Sequence, residues 1–185
     1  VTDYTAFAKE FISIVSPATI SFEVFSDDLE GMERQARIIS TWGENIYVKI
    51  PIANTQGKSS VTLINNLSRA GIKINVTAVT DERQYNLILP IAPMIISVFC
   101  GRIADTGQDP RRFVKNGDLR ADFLWASSRE VLNIYQAEQG GWDIITCTSE
   151  LLEKYHKFKD MDLDKLSLMT VQQFYEDAQA VGYTL

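Results

Sequence analysis

The sequence predicts an α/β fold in which helices alternate with the strands of a parallel sheet. Helical and strand periodicities follow each other along the chain, beginning with a helical pattern at residues 3–15 and a strand pattern at 20–25. The strand segments are apolar at nearly every position, which is typical of strands covered on both faces. No change of composition divides the 185 residues, of which 45% are hydrophobic, so we expect one domain over residues 1–185 with one sizeable core.

The elements follow one another in regular order. Strands are predicted at 20–25, 46–51, 72–79, 94–99, 123–126 and 142–147. Helices are predicted at 3–15, 27–42, 55–70, 128–139, 149–157 and 171–181. Asp27 or Asp28 caps the second helix, and Gly43 and Gly71 close the second and third. The connections between Val79 and Met94 and between Gly107 and Phe123 are short for full helices.

Polar side chains recur within these strands or at their carboxyl ends. They are Glu23, Lys49, Asn75, Thr77, Ser97, Arg102 and Ser127. Periodicity alone does not distinguish an open, doubly wound sheet from a closed barrel. The polar positions favour the barrel, because its strands all open onto one mouth where active sites lie, and we expect these side chains to converge there.

Lys49 is the strongest candidate for chemistry, because it lies within the otherwise apolar run Ile46–Pro51. An ammonium group is costly to bury, so a lysine in such a run tends to lose its proton and become a nucleophile. That is the chemistry of a Schiff-base aldolase. A lysine near a strand end can also extend its ammonium group to solvent along its apolar stem, and this second interpretation stays open.

Composition argues against several other classes of function. The net charge of −6 disfavours nucleic-acid binding, which depends on clustered cations. His156, the only histidine, lies in a polar tract, so a serine or cysteine triad is not expected. No zinc-ligand spacing, phosphate-binding loop or dinucleotide glycine pattern is present, and we expect no metal and no cofactor. Cys100 and Cys147 are too few for a disulfide framework, which favours free thiols and a cytoplasmic location. No apolar run approaches the roughly 20 residues of a membrane span.

Five segments, in the right order, resemble the small transaldolases and fructose-6-phosphate aldolases. They are Ile20-Ser21-Phe22-Glu23-Val24, Val48-Lys49-Ile50-Pro51, Gly71-Ile72-Lys73-Ile74-Asn75-Val76-Thr77, Ser97-Val98-Phe99-Cys100-Gly101-Arg102-Ile103 and Ala126-Ser127-Ser128-Arg129. The similarity covers essentially the whole chain. It implies a (β/α)8 TIM barrel of which this chain carries strands 3 to 8 and the C-terminal helix. The first two family strands, with their acid/base aspartate, do not appear, and we expect them outside the given sequence.

The resemblance implies a class I aldol mechanism with three catalytic residues. Lys49 forms a Schiff base with the ketone carbon of a sugar phosphate, and the iminium draws electrons as the carbon–carbon bond breaks. Glu23 holds the water used in proton transfer. It matches the transaldolases, since the fructose-6-phosphate aldolases carry Gln there. Thr77 positions the same water.

The resemblance also implies a substrate-binding set. Its members are Asn75, Ser97, Phe99, Arg102, Ser127 and Arg129, with the last three matching the family's phosphate site. Planar guanidinium groups suit a phosphate dianion. Structural roles remain open beside these: ion pairs of Arg102 and Arg129 with Asp105 and Glu130, backbone hydrogen bonds for Asn75 and Thr77, and a helix cap for Ser127.

The expected function is therefore a transaldolase of the pentose phosphate pathway. It would transfer a dihydroxyacetone unit from fructose 6-phosphate or sedoheptulose 7-phosphate to an aldose phosphate acceptor. A fructose-6-phosphate aldolase-like lyase and a catalytically inactive sugar-phosphate-binding relative are the alternatives. The resemblance further implies a homo-oligomer, a pentamer or decamer assembled through the C-terminal helix.

Overall fold

The computed structural model describes residues 3–91, 94–112 and 120–184 of the chain. Contacts between residues divide the chain into two compact units, Val1–Cys147 and Thr148–Leu185, which are described separately below. No helix in the described ranges combines the length and the apolar character that crossing a bilayer requires.

The first unit is built on a parallel sheet of six strands in sequential order. The strands are β1 (Ile20–Glu23), β2 (Ile46–Pro51), β3 (Ile74–Val79), β4 (Met94–Val98), β5 (Ala121–Trp125) and β6 (Ile144–Ile145). The helices are α1 (Tyr4–Val15), α2 (Leu29–Ile39), α3 (Val61–Arg69), α4 (Glu82–Ile88), α5 (Cys100–Asp105) and α6 (Leu132–Gln139). Single turns of 3-10 helix lie at Leu89–Ile91 and Pro110–Arg112. The sheet curls into half a barrel, and the predicted (β/α)8 class is confirmed.

The two faces of the sheet differ because successive strand residues point to opposite sides. The outer residues join the main hydrophobic core with the helices; they include Phe22, Val48, Ile50, Ile74, Val76, Ile96, Val98, Phe123 and Trp125. The inner face holds a smaller apolar cluster of Ile95, Leu124 and Ala126. Most of the predicted polar residues occupy the remaining inner positions.

Helices α3 and α6 begin later than the apolar pattern predicts. Residues 55–60 are a loop, because the Asn54 Oδ1 atom accepts hydrogen bonds from the backbone nitrogens of Gln56 (3.1 Å) and Lys58 (2.8 Å). Such local bonds compete with a helix. Val131 occupies the N-cap position of α6. The interpretation of Ser127 as a helix cap was therefore wrong.

Two short helices were not predicted. Helix α4 has seven residues and lies in the connection between Val79 and Met94, whereas α5 has six and precedes Gly107. Asp81 and Gln84 form a reciprocal capping box at the start of α4, which stabilises its first turn. Part of the connection that follows α5 lies outside the described residues.

The second unit consists of the helices α7 (Ser149–Phe158) and α8 (Leu163–Val181). Helix α8 begins eight residues before the predicted start, at a cap formed by the Asp162 side chain, and ends at Gly182 in the left-handed conformation (φ 71°). No residue of α8 is buried, and its large apolar side chains, among them Leu163, Leu168, Val171, Phe174 and Tyr175, are exposed.

Candidate active site

Lys49 lies on the inner face of the sheet, between Glu23 of β1 and Asn75 of β3 in the strand register. Its Nζ atom is 3.9 Å from the Glu23 Oε2 atom. The Lys49 side chain is 28% exposed and that of Glu23 is 51% exposed, so the described residues shield the amine only in part. An ion pair this long and open contributes little stability.

A chain of side-chain hydrogen bonds crosses the inner face next to Lys49. The Ser97 hydroxyl donates to the Asn75 Oδ1 atom at 2.7 Å, and the Asn75 Nδ2 atom donates to the Ser21 hydroxyl at 3.0 Å. Asn75 and Ser97 are almost fully buried, and their bonds join three strands. Since a buried polar group is costly without partners, this network holds the Asn75 amide in one orientation beside Lys49.

Thr77 presents a buried hydroxyl that has no hydrogen-bond partner among the described residues. The residue is 1% exposed and lies opposite Pro51 in the register of β2 and β3. An unpartnered buried hydroxyl costs about 1 to 3 kcal/mol. The Thr77 hydroxyl is therefore available to a ligand or a water molecule, and the interpretation in which it bonds the backbone is not supported within the described ranges.

Two non-glycine residues at the carboxyl ends of strands have the left-handed backbone conformation. They are Ala78 (φ 59°), beside Thr77 in β3, and Ser127 (φ 64°), after β5. The register of β3 and β4 shifts between Val76 and Val79, which indicates a bulge around Ala78. Each such residue costs about 1 to 2 kcal/mol, and strain of this kind is typical of functional sites.

Gly101 allows α5 to approach the loop that follows β5. A Cβ atom at this position would collide with the carbonyl oxygen of Ser127, and it would lie 3.1 Å from the Cγ atom of Arg129. No larger residue fits without a shift of the backbone. Gly101 thus lets the first turn of α5 lie against the segment of Ser127 and Arg129.

The predicted binding residues do not all share one environment. Phe99 contacts the inner apolar cluster. Arg129 donates from Nη2 to the Asp105 Oδ2 atom at 2.9 Å, with both side chains half exposed, so the ion pair foreseen as an alternative is present. Arg102 is exposed and lines a separate cavity with Thr80 and Thr106. The alternative interpretation, in which Arg102 pairs with Asp105 or Glu130, has no support among the described residues.

The loops at the mouth are joined by a second set of polar contacts. Asp27, after β1, accepts hydrogen bonds from the Thr55 backbone nitrogen at 2.8 Å and from the Thr55 hydroxyl at 2.7 Å. These bonds hold the pKa of the Asp27 carboxyl below its ordinary value. On the opposite side of β1, burial raises the pKa of the Tyr4 hydroxyl, which lies near Glu23.

Sequence reasoning missed three contributors to this arrangement: Ser21, Ala78 and Gly101. Ser21 lies two positions before Glu23, so the strand period alone places it on the same face. The roles of Ala78 and Gly101 depend on backbone geometry and on close approach, for which the residue types alone give little signal. Within the described ranges, no group of histidine, cysteine and carboxylate side chains is arranged to hold a metal ion.

Comparison with known proteins relates this chain to a single protein family. The sequence profile described as Transaldolase/Fructose-6-phosphate aldolase matches residues 4–185. A probable transaldolase of Caldicellulosiruptor saccharolyticus is 30% identical over 187 residues, which cover 97% of this chain and 81% of that protein. A probable transaldolase of Roseiflexus castenholzii is 32% identical over 88% of this chain and 77% of that protein. A probable transaldolase of Methanococcus maripaludis is 30% identical over 88% of this chain and 78% of that protein.

Proposed function

Because this chain belongs to the transaldolase/fructose-6-phosphate aldolase family, we propose that it is a Schiff-base-forming enzyme of the transaldolase type. The observation that carries the proposal is the position of Lys49, which lies on the inner face 3.9 Å from the Glu23 carboxylate and beside the fixed Asn75 amide. The donor is a ketose phosphate, fructose 6-phosphate or sedoheptulose 7-phosphate. The acceptor is an aldose phosphate, and the reaction belongs to the pentose phosphate pathway.

In this mechanism the Lys49 amine adds to the ketone carbon of the donor and loses water to form an iminium ion. The iminium accepts the electron pair of the breaking carbon–carbon bond, and an aldose phosphate leaves. The enamine that remains carries the three-carbon unit to the acceptor aldehyde, after which water releases the product and restores the amine. Glu23 and Thr77 hold the water that moves protons during these steps, and the unpartnered Thr77 hydroxyl supports that role.

The remaining proposed site residues bind and orient the sugar. The Asn75 amide, held by Ser97 and Ser21, faces the substrate hydroxyl groups. Phe99 closes the apolar side of the pocket. Arg102, Ser127 and Arg129 attract the phosphate group.

The test is borohydride reduction in the presence of fructose 6-phosphate, followed by peptide mass spectrometry. We expect a reduced three-carbon adduct on Lys49 and none in Lys49→Met. Lys73→Met is the matched control, since the exposed Lys73 amine donates to the Glu44 carbonyl oxygen at 2.6 Å and lies outside the site. Absence of an adduct with fructose 6-phosphate and with sedoheptulose 7-phosphate contradicts the proposal and favours a sugar-phosphate-binding role without turnover.

The family also contains fructose-6-phosphate aldolases, so a lyase that releases free dihydroxyacetone is the second candidate. Omitting the acceptor separates the two, because a transaldolase then retains the three-carbon unit while a lyase releases it. We further infer that the chain forms a homo-oligomer. The exposed apolar side chains of α8 support this inference. The cytoplasmic location stays a prediction from cysteine usage.

A further inference from the structure

The two loops that follow β1 and β2 are joined to each other by side-chain hydrogen bonds. The first loop follows Glu23, the last residue of β1, and the second follows Pro51, the last residue of β2. Asp27 in the first loop accepts from the backbone nitrogen of Thr55 in the second at 2.8 Å and from the Thr55 hydroxyl at 2.7 Å. The two residues are 28 positions apart in the chain. We call this contact the Asp27–Thr55 clamp.

The clamp closes a ring of hydrogen-bonded chain at the carboxyl ends of both strands. At the other end of the ring, the Val24 backbone nitrogen donates to the Lys49 carbonyl oxygen at 3.0 Å. The ring runs through residues 24–27 on one side and 49–55 on the other. It therefore begins at the backbone of the proposed Schiff-base lysine and ends at the clamp.

The first loop is held against helix α2 by bonds of its own. The Gln35 Oε1 atom accepts from the backbone nitrogens of Phe25 at 2.8 Å and Ser26 at 2.9 Å. The Asp28 Oδ1 atom accepts from the Gly31 backbone nitrogen at 2.6 Å and caps the helix. Asp27 thus lies between residues that are fixed to α2.

The second loop is ordered as well. The Ile52 backbone nitrogen donates to the Thr77 carbonyl oxygen at 3.0 Å, and the Ser60 backbone nitrogen donates to the Ile52 carbonyl oxygen at 2.9 Å. Within the loop, the Asn54 backbone nitrogen donates to the Lys58 carbonyl oxygen at 3.0 Å. Because both loops are ordered before they meet, the clamp fixes the distance between them.

Glu23 and Lys49 differ in how firmly the sheet holds them. Lys49 lies inside β2, which pairs with β1 on one side and with β3 on the other. Glu23 is the last residue of β1, and in the described part of the chain β1 pairs with β2 alone. Its side chain is 51% exposed. The position of Glu23 relative to Lys49 therefore depends on the loop that follows Glu23, which the clamp ties to the loop that follows β2.

The clamp is charge-assisted. The bonds from Thr55 hold the pKa of the Asp27 carboxyl below its ordinary value, so the carboxylate is ionised at neutral pH. Hydrogen bonds to an ionised acceptor are stronger than those between neutral groups. Two such bonds to one residue also fix an orientation, which a single bond does not.

We propose that the Asp27–Thr55 clamp positions Glu23 against Lys49 for the proton transfers of the reaction. Asp27 and Thr55 are then positioning residues, which act through Glu23 and Lys49 without touching the substrate. The proposal rests on the proposed function and deepens it, because it adds two loop residues to the machinery of the same site. Reacting groups must be held to within a fraction of an ångström, which gives such a support a large effect on rate.

The test is steady-state kinetics of the full chain with fructose 6-phosphate as donor and erythrose 4-phosphate as acceptor. Asp27→Ala removes both bonds and should lower kcat about 10-fold while KM changes less than about 2-fold, since positioning affects the chemical steps and not the binding of the donor. Thr55→Val removes only the hydroxyl bond and should lower kcat about 3-fold. Asp27 and Thr55 are both exposed, so neither substitution leaves a buried cavity.

Conservative variants separate geometry from charge. Asn at position 27 can accept from the Thr55 backbone nitrogen and donate to the Thr55 hydroxyl, so Asp27→Asn should stay within about 2-fold of the unsubstituted kcat. Thr55→Ser keeps the hydroxyl and should also retain activity. The double variant Asp27→Ala/Thr55→Val should be no slower than Asp27→Ala alone, because the hydroxyl has already lost its partner.

Asp28→Ala is the matched control, since it removes the same charge at the next residue. It also breaks two hydrogen bonds, from the Gly31 backbone nitrogen at 2.6 Å and from the Ser26 hydroxyl at 2.9 Å, but neither reaches the second loop. Loss of this helix cap should lower the melting temperature at least as much as Asp27→Ala does. Its kcat should change less than about 2-fold, because the clamp is intact.

Three kinetic outcomes overturn the proposal. They are an unchanged kcat in Asp27→Ala, an equal loss of kcat in Asp28→Ala, and an Asp27→Asn variant as slow as Asp27→Ala, which shows that the charge acts without the clamp. Failure of the proposed function is distinguishable by borohydride reduction. If the unsubstituted protein forms no adduct on Lys49, the proposed function and the positioning role fail together. If it forms the adduct and kcat does not depend on Asp27, the positioning role fails alone.

Discussion

The outer and inner faces of the same six strands have different roles. On the outer face Val48, Ile50 and Val76 are fully buried against helices, whereas on the inner face their sequence neighbours Lys49 and Asn75 belong to the candidate site. One residue of shift along a strand separates the two sets. The comparison teaches that stability and chemistry are divided between alternate positions of one strand, so substitutions one residue apart should have effects of different kinds.

The two faces also differ in how their buried groups are satisfied. Outer residues fill space with other apolar side chains. On the inner face, the buried amide of Asn75 requires Ser97 and Ser21 as partners, and the Thr77 hydroxyl has none among the described residues. The polar groups of the inner face therefore lower the stability of the fold, but they are available to bind a substrate.

The largest effect on stability should come from truncating an outer residue. Ile50→Ala removes a fully buried side chain from the main core and should lower the free energy of unfolding by about 2 to 5 kcal/mol. Urea denaturation followed by tryptophan fluorescence measures this change. Leu87→Ala is the control, because Leu87 is 59% exposed in α4 and its loss should cost less than about 0.5 kcal/mol. Equal effects of the two substitutions would contradict the assignment of the outer face.

A substitution of intermediate effect tests the inner face. Asn75→Ala leaves the Ser97 and Ser21 hydroxyls without their partner and should lower the free energy of unfolding by about 1 to 3 kcal/mol. Its effect on activity should be larger, because the amide beside Lys49 is lost. Measuring kcat/KM and the free energy of unfolding for both Asn75→Ala and Ile50→Ala tests whether the inner face serves activity and the outer face stability. A variant of Asn75 that keeps wild-type turnover would contradict a role of the inner face in binding.

A smaller effect of opposite sign is expected at the bulge in β3. Ala78→Gly relieves a left-handed residue at φ 59°. We expect a gain of up to about 1 kcal/mol, because the steric cost of about 1 to 2 kcal/mol outweighs the added entropy of glycine. Ala70→Gly, at φ −80°, is the control and should destabilise the protein. A loss of stability in Ala78→Gly would show that the bulge carries no strain.

The smallest effect concerns a charge that lies on neither face. Hydrogen bonds from the Arg83 side chain and backbone nitrogen lower the pKa of Asp81 to about 2 from its ordinary value of 3.8. Since the folded protein binds this proton more weakly, the contribution of Asp81 is present above pH 4 and is lost as the pH falls from about 4 to 2. Asp81→Asn should weaken the dependence of the melting temperature on pH between about pH 4 and pH 2, and only there. Parallel curves for the two proteins would argue against the shift.

Much of the fold was predictable because strand and helix periodicities are local properties. All six strands lie where the apolar runs predicted them, and Asp28 caps α2 as one of the two candidates. The placement of Lys49 inside a strand, flanked by alternating apolar residues, follows from the same pattern. The short helices α4 and α5 escaped prediction, since two turns or fewer give too few repeats for a period to be recognised.

The sequence by itself determined the alternation of elements, the face on which Lys49 lies, and the family. Only the tertiary structure decided which side chains meet. It pairs Arg129 with Asp105, holds Asn75 between Ser97 and Ser21, and brings Arg112 into one cavity with Arg102. The physical reason is range: periodicity acts over a few residues, whereas these contacts join segments that lie far apart in the chain or depend on loops whose course local patterns do not specify.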